Sequence, residues 1–266
     1  MTAMRKMLTM TGMLLSGFFS GLLVSLPSPL TAQAAEPEPA VYELRTYVCE
    51  PARLADLQSQ FRDHTVKLFA RHGMQVIGCW TPLEGPAAET TLLVLLEHPS
   101  RAAATSAWQA VIHDPEWKQI ASDLEKNQGR LLGRPPESVF LTQTDYSPRI
   151  GLPVAGKVYE LRTYTAPESR LPDLNTRFRD HTMELFRKHG IVNFGYWTPA
   201  DPPRSENTLI YLLEYDSRES ARTAFSAFLA DPVWQAARDA SQKNGPLTTK
   251  RPDSLFLKLT DFSPHQ

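Results

Sequence analysis

The chain has 266 residues, of which 42% are hydrophobic and 21% are charged, and its formal net charge is −1. This composition is typical of a folded globular protein with one or two domains. The balanced charge, without any block of like charges, excludes an electrostatic case for binding nucleic acid or an anionic membrane surface.

The first segment of the chain has the composition of a secretory signal peptide. Basic residues precede an uncharged apolar stretch, Leu8 to Leu26, and small residues follow it. This order predicts a signal peptide over residues 1–35, cleaved after Ala34 or Ala35, and hence a periplasmic or secreted protein with no stable membrane span after cleavage. The alternative is an uncleaved anchor, because about 19 apolar residues can just span a bilayer.

The remainder of the chain is a tandem repeat with a spacing of 117 residues. The matching segments are VYELRTY at 41 and 158, FRDHT at 61 and 178, WTP at 80 and 197, and the DP-x-W pattern at 114 and 231. Two complete copies are too long for a solenoid period and indicate two domains. We therefore predict domains at residues 40–149 and 157–266, hereafter the first and second repeat.

Each copy shows the same order of predicted elements. In the first copy a strand, VYELRTYVC, is followed by a helix over residues 52–72, and two strands, MQVIGCWTP and TLLVLLEH, come next. A second helical region over residues 100–128 is interrupted at Asp114 and Pro115, which predicts one helix followed by a shorter one with Asp114 as its N-cap. A fourth strand, SVFLTQTDY, closes an α+β unit of the ferredoxin-like β-α-β-β-α-β type.

The first strand of each copy carries charged residues on one of its two faces. We expect Leu44, Thr46 and Val48 to face the helices, because they are the less polar set. The opposite set would then lie on the uncovered face of the sheet, where the equivalent face of the other repeat covers it in an intramolecular barrel. The two sets are Glu43, Arg45 and Tyr47, and Glu160, Arg162 and Tyr164. Because isolated buried ions are costly, we expect Glu and Arg two positions apart to pair.

These motifs resemble the NIPSNAP family. The resemblance rests on YELRTY, on the FRDHT helix that ends in HG, on GCWTP or GYWTP, and on the DP-x-W break, and it covers residues 41–148 and 158–264. It implies the dimeric α/β-barrel fold, here formed as a pseudo-dimer within one chain. It implies no established catalytic residue set.

Two pairs of aromatic or imidazole side chains are candidates for a ligand site. His64 and His181 lie at helical spacing from apolar residues, which fits either a buried structural histidine or an imidazole that transfers protons or binds a ligand at the barrel mouth. Trp80 and Trp197 end the second strand of each copy. They would either pack in the core or stack a flat ligand at the cavity rim.

Glu97 and Glu214 end an otherwise apolar strand in each copy. Two interpretations are open: each pairs with Arg45 or Arg162, or each acts as a general acid or base. No metal-binding motif is present, so we expect neither a metal site nor another cofactor. Cys49 and Cys79 lie in one copy and have no cysteine counterparts in the other, so we expect two buried free thiols.

Three functions remain as hypotheses. The first is a protein that binds a small molecule in the cleft between its two sheets, motivated by the charged faces and tryptophans. The second is an enzyme similar to cofactor-independent or haem-linked monooxygenases, by analogy of fold alone. The third is a protein-interaction module. Because both copies retain the same polar residues, the sequence favours two symmetric sites, and it does not establish a higher oligomeric state.

Overall fold

The computed structural model describes residues 40–266, except the side chains of residues 124, 125, 127 and 128. The predicted signal peptide and its cleavage site lie outside the described residues. Export therefore stays a prediction. No helix within the described part of the chain is long and apolar enough to cross a membrane.

The first repeat contains four strands and four α-helices. The strands are β1 (Val41–Val48), β2 (Gln75–Pro82), β3 (Thr91–His98) and β4 (Glu137–Gln143). The helices are α1 (Leu54–Gln60), α2 (Val66–Arg71), α3 (Arg101–His113) and α4 (Pro115–Gln128), with a π-helical turn at Phe61–Thr65 between α1 and α2 and a 3-10 turn at Pro86–Glu89.

The second repeat has the same order of elements. Its strands are β5 (Val158–Thr165), β6 (Val192–Pro199), β7 (Thr208–Tyr215) and β8 (Asp253–Leu259). Its helices are α5 (Leu171–Arg177), α6 (Met183–Lys188), α7 (Arg218–Ala230) and α8 (Pro232–Ser241), with a π-helical turn at Phe178–Thr182 and a 3-10 turn at Arg204–Glu206. The predicted β-α-β-β-α-β order is confirmed in both repeats.

The predicted break at Asp114 and Pro115 is confirmed. The carboxylate of Asp114 accepts a hydrogen bond from the backbone N–H of Glu116 at 2.8 Å, and Asp231 caps α8 in the same way. The helix after the break is not shorter in the first repeat, where α3 has 13 residues and α4 has 14.

The eight strands form one closed antiparallel barrel in the order β1-β3-β2-β8-β5-β7-β6-β4. Each repeat contributes four adjacent strands, and the two repeats join where β2 pairs with β8 and β4 pairs with β6. Closure removes every exposed sheet edge within the barrel. The predicted pairing of two ferredoxin-like units within one chain is thereby confirmed.

The faces of β1 and β5 are the reverse of our prediction. Leu44 and Leu161 pack in the apolar cluster that fills the barrel, which also contains Leu95 and Leu212. Tyr47, by contrast, packs on the helix side, where its ring centroid lies 4.9 Å from that of Phe61. Alternation separates the two faces of a strand, but it does not say which face turns inward when both are covered. The apolar side chains of β1 and β5 pack in the dry interior of the barrel. The charged side chains lie on the helix side, which supplies their hydrogen-bond partners.

The barrel interior is packed and leaves no room for a ligand between the sheets. Trp80 and Trp197 fill it and are only 2% and 1% exposed. The apolar space that remains beside them is a cavity of about 20 Å³, which is close to the volume of one water molecule. The predicted cleft between the two sheets is therefore absent. Cys49 and Cys79 are buried free thiols, as predicted.

Candidate functional site

The charged face of β1 forms a hydrogen-bonded group around the buried carboxylate of Glu43, hereafter the Glu43 cluster, which consists of Glu43, Arg45, His98, Trp108 and Ser138. Oε1 of Glu43 accepts hydrogen bonds from Arg45 Nη1 at 2.7 Å and from the Ser138 hydroxyl at 2.5 Å. Oε2 accepts from His98 Nε2 at 3.0 Å and from the indole Nε1 of Trp108 at 2.8 Å. The predicted pairing of Glu43 with Arg45 is confirmed. The helix α3 brings Trp108 onto this face of the sheet.

The Glu43 carboxylate is held in its charged form. Burial alone would raise its pKa, but hydrogen bonds from His98, Ser138 and Trp108 and the charge of Arg45 outweigh this effect and lower the pKa to about 2. A carboxylate with several donors is stabilised as the anion in this way. The first repeat thus satisfies its buried acid completely with its own side chains.

The second repeat forms the equivalent Glu160 cluster, which consists of Glu160, Arg162, Tyr215 and Ser254. Arg162 and the Ser254 hydroxyl donate to Oε1 of Glu160, and the Tyr215 hydroxyl donates to Oε2 at 2.9 Å. Phe225 stands where the first repeat has Trp108, and its side chain has no N–H to donate. Glu160 therefore has one donor fewer than Glu43, although it is only 2% exposed.

A cavity of about 530 Å³, hereafter the Arg177 cavity, lies between the sheet and the helices of the second repeat. Arginine and aromatic side chains dominate its lining, which also includes Glu160 of the buried cluster. The arginines are Arg162, Arg177, Arg218, Arg222 and Arg251, and the aromatic residues are Tyr164, Phe178, Phe186, Phe225, Phe228, Trp234 and Phe256. The cavity is thus both apolar and rich in positive charge.

Arg177 is a buried cation without an acidic partner among residues 40–266. It is the last residue of α5, is 6% exposed, and its guanidinium carbon lies 5.2 Å from the ring centroid of Trp234. Its Nε and the Nε1 of Trp234 are buried and have no hydrogen-bond partner in the described structure. Burial lowers the pKa of the Arg177 guanidinium. A buried charge in this state is costly unless a further group neutralises it.

Three of the other cavity arginines are already paired. Arg162 binds Glu160, Arg218 binds Glu84 at 3.0 Å, and Arg222 binds Glu219 at 2.6 Å. Arg251 has no acidic partner in the part of the chain that the structure describes. The unneutralised positive charge of the cavity therefore comes from Arg177 and Arg251.

The predicted site residues on the first strands thus divide into two environments. Glu160, Arg162 and Tyr164 line the Arg177 cavity, whereas Glu43 and Arg45 belong to a cluster that Trp108 covers. All of them lie on the helix side of the sheet and not between the sheets, which corrects their predicted location. The two repeats are not equivalent at these positions, because Trp108 donates to Glu43 whereas Phe225 has no N–H to donate to Glu160; that the repeats carry two symmetric sites stays a prediction.

His64 and His181 are exposed, and neither lines the Arg177 cavity. Each belongs to a π-helical turn, in which the hydroxyl of Thr65 or Thr182 donates to the carbonyl five residues earlier. The wider turn rotates the histidine away from the apolar stripe that α-helical spacing assigned to it. The prediction of a buried or ligand-facing imidazole is therefore wrong.

The remaining candidates belong to the barrel and its ends. Trp80 and Trp197 are core residues of the barrel, not the walls of a ligand site. Glu97 accepts a hydrogen bond from the Tyr42 hydroxyl at 3.4 Å, and Glu214 accepts one from the Tyr159 hydroxyl at 2.9 Å. Arg45 and Arg162 pair with Glu43 and Glu160 instead, so the predicted pairing of Glu97 or Glu214 with these arginines is wrong.

Sequence reasoning missed the residues that distinguish the two repeats. The spacing of 117 aligns Arg177 with Gln60 and Phe225 with Trp108, so the differences are visible in the sequence once the repeats are compared position by position. The predicted site residues were instead those that the two repeats share. Within residues 40–266, no group of three or more His, Cys, Asp or Glu side chains is arranged to hold a metal ion.

The fold defines the class of protein: two repeated α/β units close an eight-stranded antiparallel barrel of the dimeric α/β-barrel superfamily. The family model described as NIPSNAP matches the chain twice, at residues 42–148 and 159–264. The chain therefore belongs to the NIPSNAP family. No curated protein matches it in sequence.

Solved structures share this architecture at low sequence identity. A Lactobacillus acidophilus protein named "putative monooxygenase" aligns with a TM-score of 0.55 and 8% identity over 84% of this chain and 94% of its own. A Fusobacterium nucleatum protein with the same name aligns with a TM-score of 0.55 and 7% identity over 86% and 95%. A NIPSNAP-like domain protein from Burkholderia xenovorans is 21% identical, has a TM-score of 0.36 and covers 41% of this chain and 90% of its own. At these identities the first two structures show a likeness of fold alone.

Proposed function

We propose that this protein binds a small aromatic anion in the Arg177 cavity. The observation that carries the proposal is the buried guanidinium of Arg177, which no acidic side chain in the described residues neutralises. A carboxylate or similar group on the ligand would pair with it. A buried cation that lowers stability is retained more readily where it serves binding.

The shape and lining of the cavity support an aromatic body for the ligand. Its volume of about 530 Å³ falls within the range of known small-molecule sites, and seven aromatic side chains contribute to its lining. Flat rings pack edge to face or offset against such walls. The second unpaired cation, Arg251, lies at the same cavity and adds to its positive potential.

The proposal is tested by isothermal titration calorimetry with 1-naphthaleneacetate and its neutral amide, 1-naphthaleneacetamide. We expect the acid to bind with one site per chain, and the amide to bind at least about tenfold more weakly, because a hydrogen bond to a charged group contributes about 1.5–3 kcal/mol. Arg177→Gln, which installs the residue of the first repeat, should weaken binding of the acid by a similar factor. The control is Arg179→Gln, since Arg179 is exposed and pairs with Asp145 at 2.7 Å.

A further substitution at the same position separates binding from folding. Arg177→Met should raise the free energy of unfolding of the ligand-free protein by about 1–3 kcal/mol, because it removes a buried unpaired charge. Equal affinity of wild type and Arg177→Gln for the acid would contradict the proposal. So would equal affinity of wild type for the acid and the amide.

The same probe also distinguishes binding without turnover from the enzyme hypothesis. The probe is recovered after incubation in air with the protein, and its mass is measured. An unchanged mass supports binding without turnover, whereas the mass of one added oxygen atom would support the monooxygenase-like alternative, for which the solved structures provide a likeness of fold only.

A further inference from the structure

In the first repeat, a tryptophan side chain contacts both the arginine and the carboxylate of the Glu43 cluster. The indole of Trp108 lies against the guanidinium of Arg45, with 4.1 Å from the guanidinium carbon to a ring centroid, and its N–H donates to Oε2 of Glu43 at 2.8 Å. In the second repeat Phe225 takes this position and lies 4.6 Å from the guanidinium carbon of Arg162. The smaller ring leaves space, and it has no donor.

Because Phe225 stands in place of Trp108, Oε2 of Glu160 accepts fewer hydrogen bonds than Oε2 of Glu43. Oε2 of Glu43 accepts from His98 at 3.0 Å as well as from Trp108, whereas Tyr215 is the single donor to Oε2 of Glu160 among the residues that the structure describes. Glu160 is nevertheless buried and lies in the lining of the Arg177 cavity. A buried carboxylate oxygen gains from a second donor, and the cavity is the open side from which a donor can come.

We propose that the ligand is a planar aromatic acid that carries an N–H or O–H donor, of the indole or phenol type. Its N–H or O–H donor binds Oε2 of Glu160 from the side of the cavity, its ring packs beside Phe225, and its anionic group pairs with Arg177. This inference rests on the proposed function and makes it specific, because Glu160 then selects among aromatic anions. Glu160 is assigned here as a specificity-determining residue.

The first test needs only the wild-type protein and two probes of similar size, indole-3-acetate and 1-naphthaleneacetate. Both are aromatic acetates, but only the indole has an N–H. We expect indole-3-acetate to bind at least about tenfold more tightly by calorimetry, the factor that corresponds to one hydrogen bond to a charged group. Similar affinities, within about twofold, would overturn this inference and leave the proposed function standing. Binding of neither acid would overturn the proposed function itself.

The second test places the tryptophan of the first repeat at the equivalent position of the second repeat. Phe225→Trp should place an indole against Arg162 and Glu160, abolish binding of indole-3-acetate, and leave the melting temperature equal to or above that of wild type. The matched control is Trp108→Phe, the reverse change in the first repeat. It should lower the melting temperature, because Glu43 loses a donor, and leave binding of indole-3-acetate within about twofold of wild type.

Unchanged binding of indole-3-acetate by a folded Phe225→Trp protein would overturn the inference, because the ring would then not occupy the position of the ligand. Should Phe225→Trp not fold, the comparison of the two probes on wild type decides the question by itself.

Discussion

The carboxylate of Glu43 remains charged in a buried position because four side chains donate hydrogen bonds to it. Those donors come from four different parts of the first repeat: β1, the end of β3, α3 and β4. The charged carboxylate of Glu43 therefore links the sheet to helix α3 through its hydrogen bonds. Removing the charge would leave the half-buried Arg45 beside a neutral group, and removing one partner of a buried ion pair is strongly destabilising.

This arrangement predicts a specific dependence of stability on pH. The folded pKa of Glu43, about 2, is lower than its ordinary value of 4.5, so its contribution is fully present above pH 4.5 and is lost as the pH falls toward 2. The loss should amount to about 3 kcal/mol of unfolding free energy. Urea unfolding between pH 2 and 6 measures it. Glu43→Gln should be less stable at pH 7 and should show a pH dependence flatter by this amount, whereas Glu137→Gln, at an exposed position, should follow wild type.

Part of this residue-level picture could be predicted from the sequence. The pairing of Glu43 with Arg45 follows from their separation of two positions along a strand. Its other partners are 55, 65 and 95 residues away in sequence, so only the folded chain brings them together. Arg177 was missed for the same reason, because the absence of a partner cannot be recognised before the neighbours are known.

At the scale of single elements, the second strand of each repeat carries an irregularity that makes room for its tryptophan. The register of β2 shifts between Val76 and Gly78, and that of β6 shifts between Asn193 and Gly195. A β-bulge of this kind re-aims the side chains that follow it. The ring of Trp80 then lies directly over Gly78, where a Cβ atom would meet it at 2.2 Å.

Gly78→Ala should therefore be strongly destabilising. The added methyl group has no free space, and the rigid buried ring of Trp80 cannot move aside, so we expect a loss of about 3 kcal/mol or more in thermal or urea unfolding. Gly133→Ala is the control, because its nearest neighbour would be at 3.6 Å, an ordinary contact. A Gly78→Ala protein as stable as the control would show that the strand relaxes around the bulge.

The elements themselves were predictable, but their local departures from regularity were not. The four strands and the break at Asp114 followed from alternation and from the Asp-Pro pair. The π-helical turn at Phe61–Thr65 was not expected, because a single wide turn leaves the apolar positions on either side close to α-helical spacing. Because the turn was not predicted, the position of His64 was predicted wrongly: the turn rotates its side chain into solvent.

At the scale of the whole molecule, the two repeats share one core. The ring of Trp80 from the first repeat lies 5.7 Å from that of Tyr159 in the second, and Tyr42 lies 5.8 Å from Trp197. The apolar cluster inside the barrel draws on strands of both repeats. Neither four-stranded sheet can cover this face without the other.

We therefore expect the two repeats to unfold together. Urea unfolding followed by far-ultraviolet circular dichroism and by tryptophan fluorescence should give a single transition with coincident midpoints, because opening one repeat exposes the core of both. Two separated transitions would show that each repeat is stable without the shared interior. The presence of an aromatic acid should shift both midpoints equally, since its binding stabilises the entire folded state.

Fusion of the repeats also bears on how such a barrel can diversify. A barrel assembled from two identical subunits is bound by symmetry, because every mutation alters both halves at once. Joining two halves in one polypeptide lifts that constraint, so the halves can differ at single positions: the first carries Trp108, whose indole N–H donates to Glu43, and the second carries Phe225, which lines the Arg177 cavity. The pair Trp108 and Phe225 is such a difference, and other fused barrels can be compared position by position for the same kind of divergence.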